Sequence, residues 1–359
     1  MRERLILLIR ITTYMININH LFFLKAFRIL PFMRVFLIGE SAKHCETLME
    51  HLPPGVEFIA LPREAATTCE HDHRIGGEDV LVSLRFARHK SPSPRFKLLH
   101  IPGAGLDGID FASLPDCATV CNVFEHEIPI AEYVMTAMLE HEIGYANMVA
   151  EFKGNRWPDL YRARMPHGEL STKTLGIIGY GRIGREVAKR ANAFGMRVLA
   201  ANRSPVSADR HLSADTLPLS KLDNLLSASD YVLIACPLSD ATRGLVGAAA
   251  LAQMSRHAVL INVSRAEIVE QKALYESLEN GRIGGAVLDV WWQYPLTESD
   301  HPEPAQYPFD RLPNVRATPH CSAWTHQLPL RRYRAIAQNI ERLLTGKAMS
   351  NVVWEPRQR

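Results

Sequence analysis

From Met33 onward, short runs of apolar residues alternate with longer stretches whose apolar positions recur at a helical spacing. The runs Val35–Ile38, Val56–Ala60, Val80–Ser83, Lys97–Ile101 and Thr119–Cys121 are too short for helices, and they predict strands rather than turns. Strands of this kind, separated by helical segments, belong in a parallel sheet covered on both faces. An apolar-periodic stretch then predicts a single helix over Ile128–Phe152, stopped at Asn155-Arg156-Trp157-Pro158. A second alternating series starts at Thr174, with TLGIIG, MRVLAAN, YVLIAC, HAVLINV and GGAVLDV as its strands. Trp291–Asn314 is proline-rich and aperiodic and predicts loop, whereas Trp324–Thr345 predicts a helix ended by Gly346. The fold class is therefore α/β, with two doubly wound, Rossmann-like parallel sheets.

The 359 residues are 47% hydrophobic and 22% charged, which excludes a disordered chain, a collagen and a coiled-coil rod. The length is sufficient for two cores. The formal net charge of +3 is unevenly placed. Residues 1–32 hold Arg2, Arg4, Arg10, Lys25 and Arg28 against Glu3, and the remainder is close to neutral. The body carries no basic, aromatic-studded stripe, so nucleic acid is not an expected partner. Residues 1–32 have neither an unbroken apolar block of membrane-spanning length nor a small-residue cleavage site. They read as a leader. Either the start is assigned too early and Met33 opens the first strand, which is the preferred reading, or the leader is a targeting or membrane-surface segment. No membrane partner is expected for the body. Six cysteines without a framework spacing indicate reduced thiols in a cytoplasmic protein. Cys69, His71 and His73 alternate, which would place them on one face of a strand. Without a fourth ligand at a recognised spacing they read as a polar loop, and no metal is expected.

The segment Leu175–Gly184 reads G-x-G-x-x-G through Gly179, Gly181 and Gly184. It closes a predicted strand and opens a helix with apolar positions at Ile183, Val187, Ala188, Ala191 and Phe194. That context is the one a dinucleotide-binding turn requires. Gly179 makes the tight turn, Gly181 lets the pyrophosphate approach the backbone, and Gly184 lets helix and strand pack closely. The helix N-terminus then faces the phosphates. At the end of the next strand, where NAD sites place an acid for the ribose hydroxyl, stand Asn202, Arg203 and Ser204. The acid that would repel a 2′-phosphate is missing, and Arg203 can pair with one. NADP is the preferred cofactor and NAD the second reading.

Together with Cys236–Thr242 (CPLSDAT), Ile261–Arg265 (INVSR), Leu288–Val290 (LDV) and Thr318–His320 (TPH), the chain resembles the D-isomer-specific 2-hydroxyacid dehydrogenase family over nearly all of 33–353. Formate, phosphoglycerate, glyoxylate and hydroxypyruvate oxidoreductases belong to that family. The resemblance implies a dinucleotide-binding domain, 127–320, inserted into a substrate domain, 33–126 with 321–350, and an active site in the cleft between them. It implies that Arg265 binds the substrate carboxylate and polarises its carbonyl, and that His320 is the general acid–base. It implies that Asp289 positions the nicotinamide amide. Cys236, Pro237, Thr242 and Val263 would line the cofactor, and Arg182 and Ile183 would meet the pyrophosphate. Backbone N–H groups of Ala104 and Gly105 would hold the substrate carboxylate. A homodimer through the nucleotide domains is implied as well, with Ile128–Phe152 as a candidate interface. These roles make chemical sense. Hydride exchange at a carbinol carbon needs a proton carrier near neutrality, which histidine supplies. An anionic substrate needs a planar, two-pronged cation, which is arginine.

One position departs from the family. Its third catalytic residue is a glutamate before a proline in a D-V-x-x-x-E-P stretch, and here that stretch ends in Tyr294-Pro295. A glutamate there would raise the histidine pKa. Three readings stay open: another acidic partner, a substrate needing little proton transfer, or a dinucleotide-binding regulatory protein with weak catalysis. Gln293, one residue out of register, is a candidate substitute, and a formate-like oxidation belongs to the second reading. Tyr294 is therefore held as a third catalytic candidate. Arg85 and His126 are candidate substrate contacts, each weighed against a solvated surface role. Trp291 and Trp292 either wall a nicotinamide pocket or belong to the core. The preferred function is hydride transfer between NAD(P) and a small 2-hydroxy or 2-keto acid, glyoxylate- or hydroxypyruvate-like.

Overall fold

The computed structural model describes residues 33–88, 92–152, 157–204, 214–295 and 299–355. The leader discussed above lies outside the described residues. The chain divides into two compact units, one running to Phe124 and resuming at Pro329, the other Glu125–Leu328. The second crossing thus falls eight residues beyond the expected position after His320. The reason is local: the backbone amides of Cys321 and Ser322 bond to the Asp289 carboxylate and so belong with it.

In the first unit, β1 (Met33–Ile38), β2 (Val56–Leu61), β3 (Val80–Val82), β4 (Leu98–His100) and β5 (Thr119–Cys121) form a parallel sheet in the order β5-β4-β3-β1-β2. An antiparallel strand, Val352–Trp354, covers the β5 edge. The helix Gln327–Leu344 places Tyr333, Ile336, Ala337 and Ile340 in one core with Val35, Leu37, Val80, Val82 and Leu98. Their three- and four-residue spacing is one helix face. His100 is fully buried, and its Nε2 accepts from Asn339 Nδ2 at 3.0 Å. Desolvation pushes the His100 pKa down to about 4, so it packs as a neutral ring. The Asn339 amide also pairs with the Ser350 peptide, accepting at 2.8 Å and donating at 2.9 Å.

The second unit holds β6 (Thr174–Ile178), β7 (Arg197–Asn202), β8 (Asp215–Pro218), β9 (Tyr231–Ile234), β10 (Val259–Asn262), β11 (Gly285–Leu288) and β12 (Val315–Ala317). All are parallel, in the order β12-β11-β10-β9-β6-β7-β8. Apolar cores cover the two faces, one built on Leu225, Leu260 and Leu274, the other on Val134, Val187 and Leu233. The order reverses between β6 and β9, the place where open α/β sheets bind ligands.

The strands the pattern misses are β8, β12 and Val352–Trp354. Each is an edge strand, and none is fully buried, so none carries a continuous apolar run. The single helix expected over Ile128–Phe152 is two, Glu127–Ile143 and Tyr145–Phe152. Gly144 adopts φ 65° and ends the first with its N–H on the Glu140 carbonyl. Pro158 sits at the second position of the next helix, Trp157–Arg162, a place proline tolerates. Residues 153–156 lie outside the described residues. The helix expected from Trp324 begins at Gln327, and Phe194 falls just beyond the helix Arg182–Ala193 and is exposed.

Asn339→Ala would strand the buried His100 ring and the Ser350 peptide together. We expect it to lower the unfolding free energy by about 2–3 kcal/mol, read from urea denaturation of the full chain.

Candidate active site

The second unit brings its candidate residues to one edge of its sheet, the carboxyl ends of the strands. Asn202 ends β7, Gly179 follows β6, Cys236 follows β9, Arg265 follows β10, Asp289 follows β11 and Thr318–His320 follow β12. Those strands are successive neighbours, so the residues form a row in that order.

At one end of the row lies the glycine turn. Gly179 has φ 100°, and a Cβ there would stand 2.5 Å from the Cys236 backbone nitrogen. A Cβ on Gly184 would stand 2.4 Å from the Gly179 carbonyl oxygen. Both glycines are therefore demanded by packing. Gly181 is different: a Cβ there would meet nothing within 4 Å. It precedes the helix Arg182–Ala193, whose N-terminus no side chain caps. Open space before an uncapped helix start suits a pyrophosphate, so the residues fit a dinucleotide. Asn202 Oδ1 accepts from the Tyr180 N–H at 3.4 Å, and its Nδ2 donates to the Ser204 carbonyl at 2.9 Å. Asn202 thereby ties the glycine turn to the turn after β7, while Arg203 and Ser204 are exposed. Ile183 is half-buried, and Arg182 pairs with Glu127 at 3.7 Å. Thr242 Oγ1 donates to the Pro237 carbonyl at 2.8 Å and fixes the loop after Cys236. Burial pushes the Cys236 thiol up to about 11, so it stays neutral.

At the other end stands a hydrogen-bonded group around His320. The Asp289 carboxylate is fully buried. One oxygen accepts from Thr318 Oγ1 at 2.6 Å and the Cys321 N–H at 2.8 Å, the other from the Ser322 N–H at 2.8 Å. Tyr133 Oη meets Thr318 Oγ1 at 2.6 Å from the helix Glu127–Ile143. His320, between these anchors, has φ 56°, a left-handed conformation that is costly for a residue with a Cβ. Tyr294 Oη lies 2.9 Å from His320 Nδ1 and accepts from the Trp291 N–H at 3.0 Å. Desolvation lowers the His320 pKa; Asp289 opposes this and the Arg265 charge adds to it. Burial likewise raises the Tyr294 pKa, with Arg265 acting to lower it. Arg265 thus lies close enough to act on both side chains. Its Nη1 donates to the Ser264 carbonyl at 2.8 Å. Asn262 holds this turn, donating to the Arg265 carbonyl at 2.9 Å and accepting from the Ser264 N–H at 3.1 Å.

Several expectations change. Asp289, expected at the nicotinamide amide, is buried and anchors the loop that carries His320. Tyr294, not Gln293, meets His320; the Gln293 N–H goes to the Pro304 carbonyl at 3.1 Å. Trp291 and Trp292 belong to a core: Trp291 Nε1 donates to the Thr318 carbonyl, and Trp292 stacks on Phe309. Val263 is buried in the opposite core. Cys69, His71 and His73 lie in turns and a short 3-10 helix, not on a strand. His126 precedes the helix Glu127–Ile143 without capping it. Ala104, Gly105 and Arg85 belong to the first unit. Ala104 lies in the loop after β4, its carbonyl accepting from Asn122 Nδ2 at 3.0 Å, and Gly105 is exposed. Arg85 is exposed just after β3, whereas nearby Arg88 is buried on Asp72 and the Phe86 ring. Pattern reading assigned no role to Tyr133 or Asn262. Asn262, a strand-end Asn three residues before Arg265, carried a local turn signal; Tyr133, 185 residues from Thr318, carried none.

A model of the D-isomer specific 2-hydroxyacid dehydrogenase NAD-binding domain matches residues 135–322. A glyoxylate reductase from Korarchaeum cryptofilum is 36% identical over 294 residues, 78% of this chain and 84% of that protein. A D-3-phosphoglycerate dehydrogenase from Methanocaldococcus jannaschii is 32% identical over 73% of this chain, which spans only 48% of that longer protein. Among solved structures, an NADPH-dependent glyoxylate/hydroxypyruvate reductase from Sinorhizobium meliloti, in complex with NADP and sulfate, superposes with a TM-score of 0.69. It is 25% identical, over 90% of this chain and 98% of that one. The chain belongs to the D-isomer-specific 2-hydroxyacid dehydrogenase family. It is an oxidoreductase of 2-hydroxy acids with a nicotinamide-dinucleotide-binding unit.

The contrast between the glycines is testable. Gly181→Val fills open space at φ −84° and should leave the melting temperature within about 2 °C. It should weaken NADH and NADPH binding at least about tenfold in fluorescence titration, a loss of about 1.4 kcal/mol.

Proposed function

We propose that this chain reduces a small 2-keto acid, glyoxylate- or hydroxypyruvate-like, with NADPH preferred over NADH. The observation that carries the reading is the grouping of Arg265, His320 and Tyr294 on the strand-end row that also carries the glycine turn. Gly179, Gly181 and Gly184 would hold the dinucleotide, whose nicotinamide supplies the hydride. Arg265 binds the substrate carboxylate and polarises the carbonyl, and His320 delivers a proton to the carbonyl oxygen through Nε2. Substrate carboxylate contacts are assigned to the Ala104 and Gly105 amides, and Arg85 and His126 remain candidates for the rest of the substrate. The names of the relatives, glyoxylate reductase, glycerate dehydrogenase and glyoxylate/hydroxypyruvate reductase, support a keto-acid reductase over a regulatory protein or a formate-like enzyme. The NADP preference rests on Arg203, exposed beside Asn202 where no acid stands. Among the described residues no helix is long and apolar enough to cross a membrane.

The direct test is NADPH and NADH oxidation with a panel of 2-keto acids. Turnover with glyoxylate or hydroxypyruvate is expected, and none across the panel contradicts the reading. In the same assay Arg203→Ala should lower kcat/KM for NADPH about tenfold while leaving NADH within about twofold. Equal losses would remove the case for NADP.

A homodimer through the nucleotide unit is part of the proposal. The helices Tyr145–Phe152 and Trp157–Arg162 bury no residue and expose Tyr145, Phe152, Trp157 and Tyr161. Such an aromatic surface is what a second copy would cover. Sedimentation equilibrium should give twice the chain mass, and Tyr145→Glu with Phe152→Glu should give the single-chain mass. A wild-type monomer contradicts this.

A further inference from the structure

The family glutamate beside the catalytic histidine would favour an imidazolium, and this chain offers a phenol instead. The geometry around that phenol is complete. Tyr294 Oη has two partners, the Trp291 N–H at 3.0 Å and His320 Nδ1 at 2.9 Å. The peptide N–H can only donate, so it occupies an oxygen lone pair and leaves the phenolic hydrogen for another acceptor. A phenol is a stronger donor than a neutral imidazole N–H, and an imidazole nitrogen is the stronger acceptor of the two. The hydrogen therefore lies between Oη and Nδ1, donated by tyrosine.

We propose that Tyr294 is the positioning residue of His320: its hydroxyl, fixed by the Trp291 N–H, donates to Nδ1 and holds the ring neutral with its hydrogen on Nε2, so that a tyrosine–histidine relay, not an imidazolium, supplies the proton in keto-acid reduction. This rests on the assignment of His320 as the acid–base group. The balance is simple. As the carbonyl carbon gains a hydride, its oxygen takes the Nε2 hydrogen and the electron pair of the C=O π bond becomes the new O–H bond. Nδ1 takes the phenolic hydrogen, and the ring returns neutral as the other tautomer. The phenolate left behind keeps the Trp291 N–H and faces the charge of Arg265, until Nδ1 returns the hydrogen to it and water reprotonates Nε2, which restores the starting pair. An aliphatic alkoxide is a stronger base than a phenolate, so the transfer runs downhill.

The surrounding charges are consistent with a neutral pair. His320 faces Asp289 and Arg265, and Tyr294 faces Arg265, Asp289 and Glu267. The Asp289 carboxylate is occupied by Thr318, Cys321 and Ser322 and bonds to neither ring. Desolvation, the largest influence on each, lowers the His320 pKa and raises that of Tyr294. Burial therefore favours the neutral form of each, pulling the His320 pKa down and pushing the Tyr294 pKa up.

The test uses the full chain, wild type, Tyr294→Phe and Tyr294→Glu. First, the ring nitrogens of His320 are read by 15N NMR at pH 7 with dinucleotide bound, the signal assigned by loss in His320→Gln. A neutral ring protonated at Nε2 is expected in the wild type and an imidazolium in Tyr294→Glu. A wild-type imidazolium, or a ring protonated at Nδ1, overturns the proposal. Second, kcat for keto-acid reduction is followed from pH 6 to 9. The wild type should stay level, whereas Tyr294→Glu should fall as pH rises through the elevated histidine pKa. Tyr294→Phe should lose about 10- to 100-fold in kcat with KM within about threefold. A Phe variant with wild-type kcat and profile sinks the relay, because a residue that merely packed would leave the profile unmoved. If no keto acid turns over in the wild type, the assigned function fails, and the NMR measurement still decides the state of the pair.

Discussion

A buried carboxylate organises the chemical end of this molecule. Asp289 is wholly removed from solvent, a placement that would be costly for an unpaired charge. Its cost is offset by three short hydrogen bonds, all from the five-residue stretch Thr318–Ser322. Those bonds hold the chain through a reversal in which His320 takes φ 56°. The left-handed conformation of a non-glycine residue persists where its neighbours over-determine it. Thr318, itself gripped by Tyr133 and by Trp291 through its carbonyl, supplies the remaining restraint. The imidazole is therefore presented by a loop tied at several points to the strands and helix beside it.

That loop acquires meaning from the row in which it stands. In the seven-stranded sheet, the strand order runs from Asn202 through the glycine turn to Arg265, Asp289 and His320. Parallel strands point their carboxyl ends one way, so residues far apart in sequence converge along that edge. Gly179 and Gly184 are fixed by contacts inside the protein, but Gly181 faces open space. The distinction separates the glycines that build the turn from the one that leaves room for a ligand.

Much of this was legible in the chain itself. The central strands announced themselves because both their faces are buried, which forces continuous apolar runs such as Tyr231–Ile234 and Val259–Asn262. The edge strands did not, because Asp215–Pro218 is largely exposed and reads as loop. Gly179, Gly181, Gly184, Arg265 and His320 stand in local motifs, so the sequence alone singles them out as candidates. The structural role of Asp289 was not legible, since its partners Thr318, Cys321 and Ser322 lie far along the chain and the motif does not state which way a carboxylate points. Tyr294 departs from the family pattern in the sequence, but only the fold shows that its hydroxyl reaches His320 and that the Trp291 amide braces it. The break at Gly144 was hidden inside an otherwise apolar helical pattern.

The account turns on Asp289 acting through the loop rather than through the dinucleotide. Asp289→Asn keeps the volume but replaces one acceptor oxygen with a donor facing backbone amides, and the loop should shift. Measuring kcat for keto-acid reduction together with NADPH affinity by fluorescence separates the alternatives. The account predicts a fall in kcat of about 100-fold, the scale of an ångström-level misplacement, with the NADPH Kd within about threefold. Unchanged kcat, or a loss carried wholly by NADPH affinity, would contradict it.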